Sequence, residues 1–115
     1  LINSKKMDAA IKDTCIDPRS KKVVIYEETW SKHIVTNHVE MSNFYSEVKE
    51  TIENPDKIIF GRKPQTEELY IKTFPSVDVA VSTRDLPEGI TIVTTAYSDT
   101  SGKNWTSKGE EKWKK

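Results

Sequence analysis

From residue 57 onward the apolar residues fall into a period of two, and that pattern limits the fold more than any other feature. The segments "KIIFG", "ELYIKTF", "VDVAVST" and "GITIVTTAY" each read as a β-strand, with "RKPQTE", "PS" and "RDLPE" between them. Alternation of this kind sends successive side chains to opposite faces of a sheet. Connections this short join antiparallel neighbours, so the four segments form a β-meander. Upstream the period lengthens. "SNFYSEVKETIENPD" spaces Phe44 (or Tyr45), Val48 and Ile52 along one face of a helix, with Ser42 as its cap and Asn54-Pro55 as its end. Thr29 is the expected cap of a helix running from Trp30 towards Val39. Residues 4–14 place Met7, Ala10 and Ile11 on one side of a short amphipathic helix capped by Asn3 or Ser4; "DPRS" breaks it, and "KKVVIY" follows as a strand. Helices first and strands afterwards is an α+β pattern, with the N-terminal helices packed on one face of a twisted antiparallel β-meander.

A chain of 115 residues suits one domain, residues 1–115, with a single modest core. Charged residues are 31% and the hydrophobic set 35%, a soluble globular balance rather than a disordered one. Apolar runs such as "VVI" are too short to cross a bilayer, so no membrane partner is expected, and no signal peptide pattern opens the chain. It begins at Leu1 rather than Met, as a fragment or a released C-terminal piece of a larger protein would. Net charge is zero, so an anion site must come from local clustering. The candidates are Arg62 and Lys63 in "GRKP" and the lysine-rich tail "KNWTSKGEEKWKK", whose Trp105 and Trp113 more commonly anchor on a core than stack on bases. Cys15 is alone, which rules out an intrachain disulfide and a zinc pattern; it reads as a small buried or half-buried residue at the end of the first helix.

The strand alternation sorts side chains by face. Val77, Val79 and Val81 share one face; Leu69 and Ile71 share one, leaving Tyr70 and Lys72 opposite; Ile90, Ile92 and Ala96 lie together, with Thr91, Thr95 and Tyr97 opposite. If the aliphatic faces cover the helices, the other side of the sheet carries Tyr70, Lys72, Thr95 and Tyr97. That set lacks the carboxylate pair that holds Mg²⁺ in metal-dependent nucleases, so no metal cofactor is expected. The plain reading of such a face is a solvated surface with Thr and Tyr present for β-propensity.

Both histidines of the chain, His33 and His38, fall in "ETWSKHIVTNHVEM". Five positions on a regular helix turn through about 500°, leaving the two rings roughly 140° apart. They are then boundary residues flanking the stripe of Trp30 and Ile34, unless the helix ends before His38 or only one ring is catalytic. Imidazole titrates near neutrality and suits proton transfer. The spacing makes a poor zinc ligand set.

"W-x-x-H-I-x-x-x-H-x-E-M", "V-K-E-T-I-E-N-P-D-K-I", "E-L-Y-I-K" and "I-V-T-T-A-Y", in this order over residues 22–97, resemble the phage and prophage branch of the barnase–EndoU–colicin–RelE superfamily. The first helix and the tail after Tyr97 stand outside the resemblance, and Val39 replaces a proline that relatives often carry. The resemblance implies a small metal-independent ribonuclease in which the 2′-OH attacks the adjacent phosphorus and leaves a cyclic phosphate. It implies catalytic roles for His33, His38, Lys72, Thr95 and Tyr97; Tyr70 from the same strand face and Arg62 and Lys63 from the local basic cluster are the expected substrate-binding residues. Tyr97 would serve as the acid if Lys72 lowered its pKa. It also implies a C-terminal toxin module acting on RNA, with tRNA among the candidates, in a target cell's cytoplasm, together with a cognate immunity protein. No cofactor is expected. The competing expectation is a phage or accessory binding module that keeps the fold without the chemistry.

Overall fold

The four period-two segments lie side by side in the sheet as read. The computed structural model describes residues 10–99 and 111–115. Among the described residues the strands are β1 (Ile11–Ile16), β2 (Lys22–Tyr26), β3 (Lys57–Phe60), β4 (Glu67–Thr73), β5 (Asp78–Asp85), β6 (Thr91–Asp99) and β7 (Glu111–Lys114). β3 to β6 form the antiparallel meander. The architecture is α+β, but the sheet is mixed rather than wholly antiparallel. Its order is β1-β2-β6-β5-β4-β3-β7, with β2 parallel to β6.

The expected first helix is not formed where the chain is described. Residues 11–16 are β1, a hairpin partner of β2, and residues 1–9, with Asn3, Ser4 and Met7, lie outside the described residues. Ile11, Thr14 and Ile16 are β-branched, and Cys15 turns inward opposite Val23, both fully buried. "DPRS" closes this hairpin instead of ending a helix. The Asp17 carboxylate accepts the Arg19 and Lys21 amides at 2.8 and 2.9 Å, and Ser20 takes φ 67°.

In chain order the helical part falls between the hairpin and the meander. Helix α1 is π-helical over Thr29–Ile34 and α-helical over Val35–Asn37; a 3₁₀ turn, Val39–Asn43, leads into α2 (Tyr45–Glu53). Neither expected cap is used: Glu28 and Phe44 precede α1 and α2 and make no side-chain cap bond. Trp30, Ile34, Met41, Val48 and Ile52 share one hydrophobic cluster with Ile58, Tyr70, Val79, Val81, Val93 and Ala96 of the sheet, and Val77 joins it. A smaller cluster of Ile59, Ile71 and Ala80, with Leu69 and Tyr97 against it, occupies the other face.

The register corrects the assignment of faces. Ile58, Tyr70, Val81 and Ala96 stand opposite one another across β3 to β6, all on the helical side. Ile71, Ala80 and Tyr97 form the next row, one residue along and therefore on the other face. Tyr70 and Lys72 thus lie on the helical side, away from Tyr97. In β6 the register shifts where Thr83 meets Val93 and Ser82 meets Thr95, a bulge at Thr94. Before it, Thr91 and Val93 are buried on the helical side, while Ile90 is 41% exposed. After it, Ala96 takes the inward place, and Thr95 and Tyr97 stay on the open face. The expected grouping of Ile90, Ile92 and Ala96 fails because a single inserted residue reverses the alternation.

Gly61 ends β3 and lets the chain enter the loop of Arg62 and Lys63. A Cβ there would stand 2.6 Å from the Glu67 Cβ and 3.0 Å from its carbonyl carbon. Gly61→Ala is therefore expected to cost about 1–3 kcal/mol in urea unfolding, the usual scale of overpacking.

Candidate active site

The end of α1 decides what the histidines do. The His38 amide makes the last helical bond, to the Ile34 carbonyl at 2.8 Å, and His38 then leaves helical geometry at φ −134°, ψ 74°. Its carbonyl accepts the Met41 amide at 2.8 Å and starts the 3₁₀ turn that sinks Met41 into the core. With the helix ended, the helical angle between the two rings no longer applies. The His38 ring comes to Tyr97 of β6, the two centroids 5.7 Å apart and the planes at 36°. His33 stays on the exposed side of the π-helical turn. Of the two, His38 is the one with a ring contact to the sheet among the described residues.

Tyr97 is half-buried, and burial pushes its phenol above the ordinary value while the Arg62 guanidinium opposes the rise. Its hydroxyl therefore keeps its proton at neutral pH. Of the two threonines in "TTAY", Thr94 donates its hydroxyl to the Ser82 carbonyl at 3.2 Å, within the bulge. Thr95 stands opposite Ser82 on the Tyr97 face, about 7 Å along the strand from Tyr97. Arg62 and Lys63 are exposed in the β3–β4 loop. The Lys63 amide donates to Glu67 Oε1 at 3.2 Å, which helps to shape that loop.

Two expected site residues belong elsewhere. Tyr70 is fully buried, and its hydroxyl donates to Asp17 Oδ2 at 2.7 Å, so it cannot meet a substrate. Lys72 Nζ donates to the Asn54 carbonyl at 3.0 Å and pairs with Glu50 at 3.8 Å and Asp56 at 3.9 Å. It finishes the C-terminal end of α2, where a cation complements the helix dipole. It is on the opposite face from Tyr97 and cannot lower that phenol's pKa. Cys15 is also inert: burial pushes its thiol up to about 12.

A charged cluster on the helical side went unread in the sequence. Arg19 binds both Asp17 and Glu68, and Lys21 and Lys112 add to Glu68. Burial alone would raise Glu68, but hydrogen bonds from Arg19 and Lys112 hold it at about 2. Asp17, likewise opposed by burial, is held below its ordinary value by hydrogen bonds from Tyr70, Arg19 and the turn amides, so both carboxylates stay ionised and the cluster is a clasp joining the β1–β2 turn, β4 and β7. The turn motif hinted at Asp17; its partner Glu68 lies far along the chain, beyond any local pattern. Among the described residues, no group of three or more His, Cys, Asp or Glu side chains is gathered to hold a metal ion.

Searches against curated proteins and against solved structures find no significant match. The family profile described as phage-Barnase-EndoU-ColicinE5/D-RelE like nuclease 2 matches residues 2–114, extending at both ends beyond the residues 22–97 that carried the resemblance. With nearly its whole length matched, the chain belongs to this nuclease-like family.

Proposed function

We propose that the protein is a metal-independent endoribonuclease that uses the open face of β6, with His38 and Tyr97 as its proton-transfer pair. The observation that carries this reading is the end of α1 at His38, which sets an imidazole beside the phenol of Tyr97. Neutral His38 takes the 2′-OH proton as O2′ bonds to phosphorus. The P–O5′ bond breaks, and O5′ takes the Tyr97 proton, which His38 then replaces. A phenol with a raised pKa still suits this step, because a departing alkoxide is a far stronger base than phenolate. Thr95 and Arg62 stabilise the non-bridging oxygens as negative charge gathers there. Arg62 takes the charge-balancing role expected of Lys72, and Lys63 meets the adjoining backbone.

In this reading the domain is a toxin module delivered as the C-terminal part of a larger protein. It acts on cytoplasmic RNA of a target cell, with tRNA among the candidates, and an immunity protein covers the His38–Tyr97 face. Expression in bacteria should then be toxic and be relieved by the neighbouring gene.

The direct test is incubation with total RNA in EDTA, with mapping of the ends. Cyclic phosphates and 5′-OH ends are expected, and 2′-deoxy substrates should be spared. Tyr97→Phe should slow cleavage by about two orders of magnitude, the lower part of the range for an acid–base group. RNA left intact by the parent, with or without Mg²⁺, would make the chain a binding module instead.

A further inference from the structure

A concavity opens at β2 and the start of β6, on the same side of the sheet as Tyr97. Lys22, Val24 and Tyr26 alternate along β2 with the core residues Val23 and Ile25, so they project away from the helical segments. Val24 stands opposite Ile92 of β6, and Ile92 opposite Arg84 of β5, which continues the open face from the candidate active site. Lys22, Val24 and Tyr26, together with Ile11, Lys21 and Ile90, line a cavity of about 380 Å³, a size that accommodates small ligands or parts of larger ones.

Its lining has an unusual combination of exposure and charge. Ile11 and Ile90 are 55% and 41% exposed, among the few large apolar side chains at the surface. Lys21 is engaged by Glu68 and Asp85, whereas the exposed Lys22 forms no ion pair among the described residues. The half-exposed Tyr26 likewise has no hydrogen-bond partner there. Aliphatic walls and a phenol ring suit the flat face of an aromatic ligand, and a free ammonium at the rim suits an anion attached to it. A nucleotide within a single strand has both parts. From Ile92 to Tyr97 the strand covers roughly 15 Å at about 3.3 Å per residue, a distance that a few nucleotides span.

We propose that this cavity is a nucleobase subsite. A base a few nucleotides from the scissile bond stacks on Tyr26 between Ile11 and Ile90, and the adjacent phosphate pairs with Lys22. The subsite rests on the ribonuclease reading for its part in cleavage, though its binding can be measured without it.

The experiment compares the parent, Lys22→Ala and Tyr26→Leu, the last chosen to keep apolar bulk while removing the ring. Binding is followed with an uncleavable 2′-O-methyl hexanucleotide, and cleavage with an RNA dinucleotide and hexanucleotide. Tyr26→Leu is expected to weaken hexanucleotide binding about tenfold, the scale of one lost base–aromatic stack. Lys22→Ala should reduce the slope of log affinity against log salt by about 0.7, one phosphate contact on a single strand. Dinucleotide cleavage should match the parent in both variants. Unchanged hexanucleotide binding in both variants, a parent that binds no hexanucleotide, or a parallel loss on the dinucleotide would overturn the subsite. If the parent binds but cleaves nothing while the variants bind less, the subsite stands and the cleavage reading falls.

Discussion

His38→Ala is expected to lower RNA cleavage in EDTA by at least about a hundredfold, the scale of a lost acid–base group, while His33→Ala stays near the parent rate. The contrast follows from where α1 ends. Had the helix continued through His38, the two rings would project from different sides and neither substitution would be favoured. Instead the backbone departs from helical geometry at His38, and its ring lies against Tyr97, while His33 remains in solvent. The fold should tolerate either change, because the anchors of this segment are the fully buried Ile34 and Met41. Circular dichroism should therefore show the parent spectrum for both variants. His38→Ala cleaving at the parent rate would remove the proposed proton acceptor. A large loss from His33→Ala instead would move the site to the outer side of α1.

The strands β3 to β6 were legible because their alternation is local and their loops are short. β1 was not, since Ala10 and Ile11 fit a helix stripe as well as a strand; pairing with β2 decides between them, and β propensity depends on such context. The end of α1 left no stop signal in "HVEMS". It comes from the burial of Met41, which draws the chain into a 3₁₀ turn. Thr95 and Tyr97 were assigned to the open face, and they reach it only because a bulge at Thr94 reverses the alternation; the same bulge undid the grouping of Ile90 and Ile92. Tyr70 and Lys72 were misplaced because the inner face of β4 is its polar one, Glu68, Tyr70 and Lys72, whose polar atoms are satisfied by distant partners such as Asp17 and Asn54, while the aliphatic Leu69 and Ile71 lie on the other face. Part of the tail proved structural: β7 pairs with β3, and Trp113 packs against the main cluster, the commoner of the two roles expected for it. Trp105 lies outside the described residues.

Arg19→Ala is expected to destabilise the fold by about 3 kcal/mol, the lower end of the range for breaking a buried ion pair. The side chains of Asp17 and Glu68 are 0% and 3% exposed, and Arg19 joins them. Its Nε and Nη2 donate to Asp17 at 3.0 and 2.7 Å, and its Nη1 and Nη2 donate to Glu68 at 3.0 and 2.8 Å. Without it two carboxylates stay buried with fewer donors. The loss is limited because Tyr70 and two backbone amides still serve Asp17, and Lys21 and Lys112 still serve Glu68. Both carboxylates are opposed by burial, yet both end below their ordinary values, Glu68 at about 2 from an unfolded 4.5. A depressed folded pKa gives stability that is present above the unfolded value and lost as pH falls through the folded one. The parent should thus lose stability between about pH 5 and pH 2, and Arg19→Ala should lose less over that interval, because the arginine is a main source of the depression. Urea unfolding at pH 7, 4 and 2.5 checks this: the gap between parent and variant should be widest at pH 7 and close towards pH 2.5. A gap of constant size would mean that Arg19 acts through packing of its stem and not through the two carboxylates. Because the clasp is on the helical side, across the sheet from His38 and Tyr97, the folded fraction of the variant should cleave RNA at the parent rate, separating a loss of stability from a loss of chemistry.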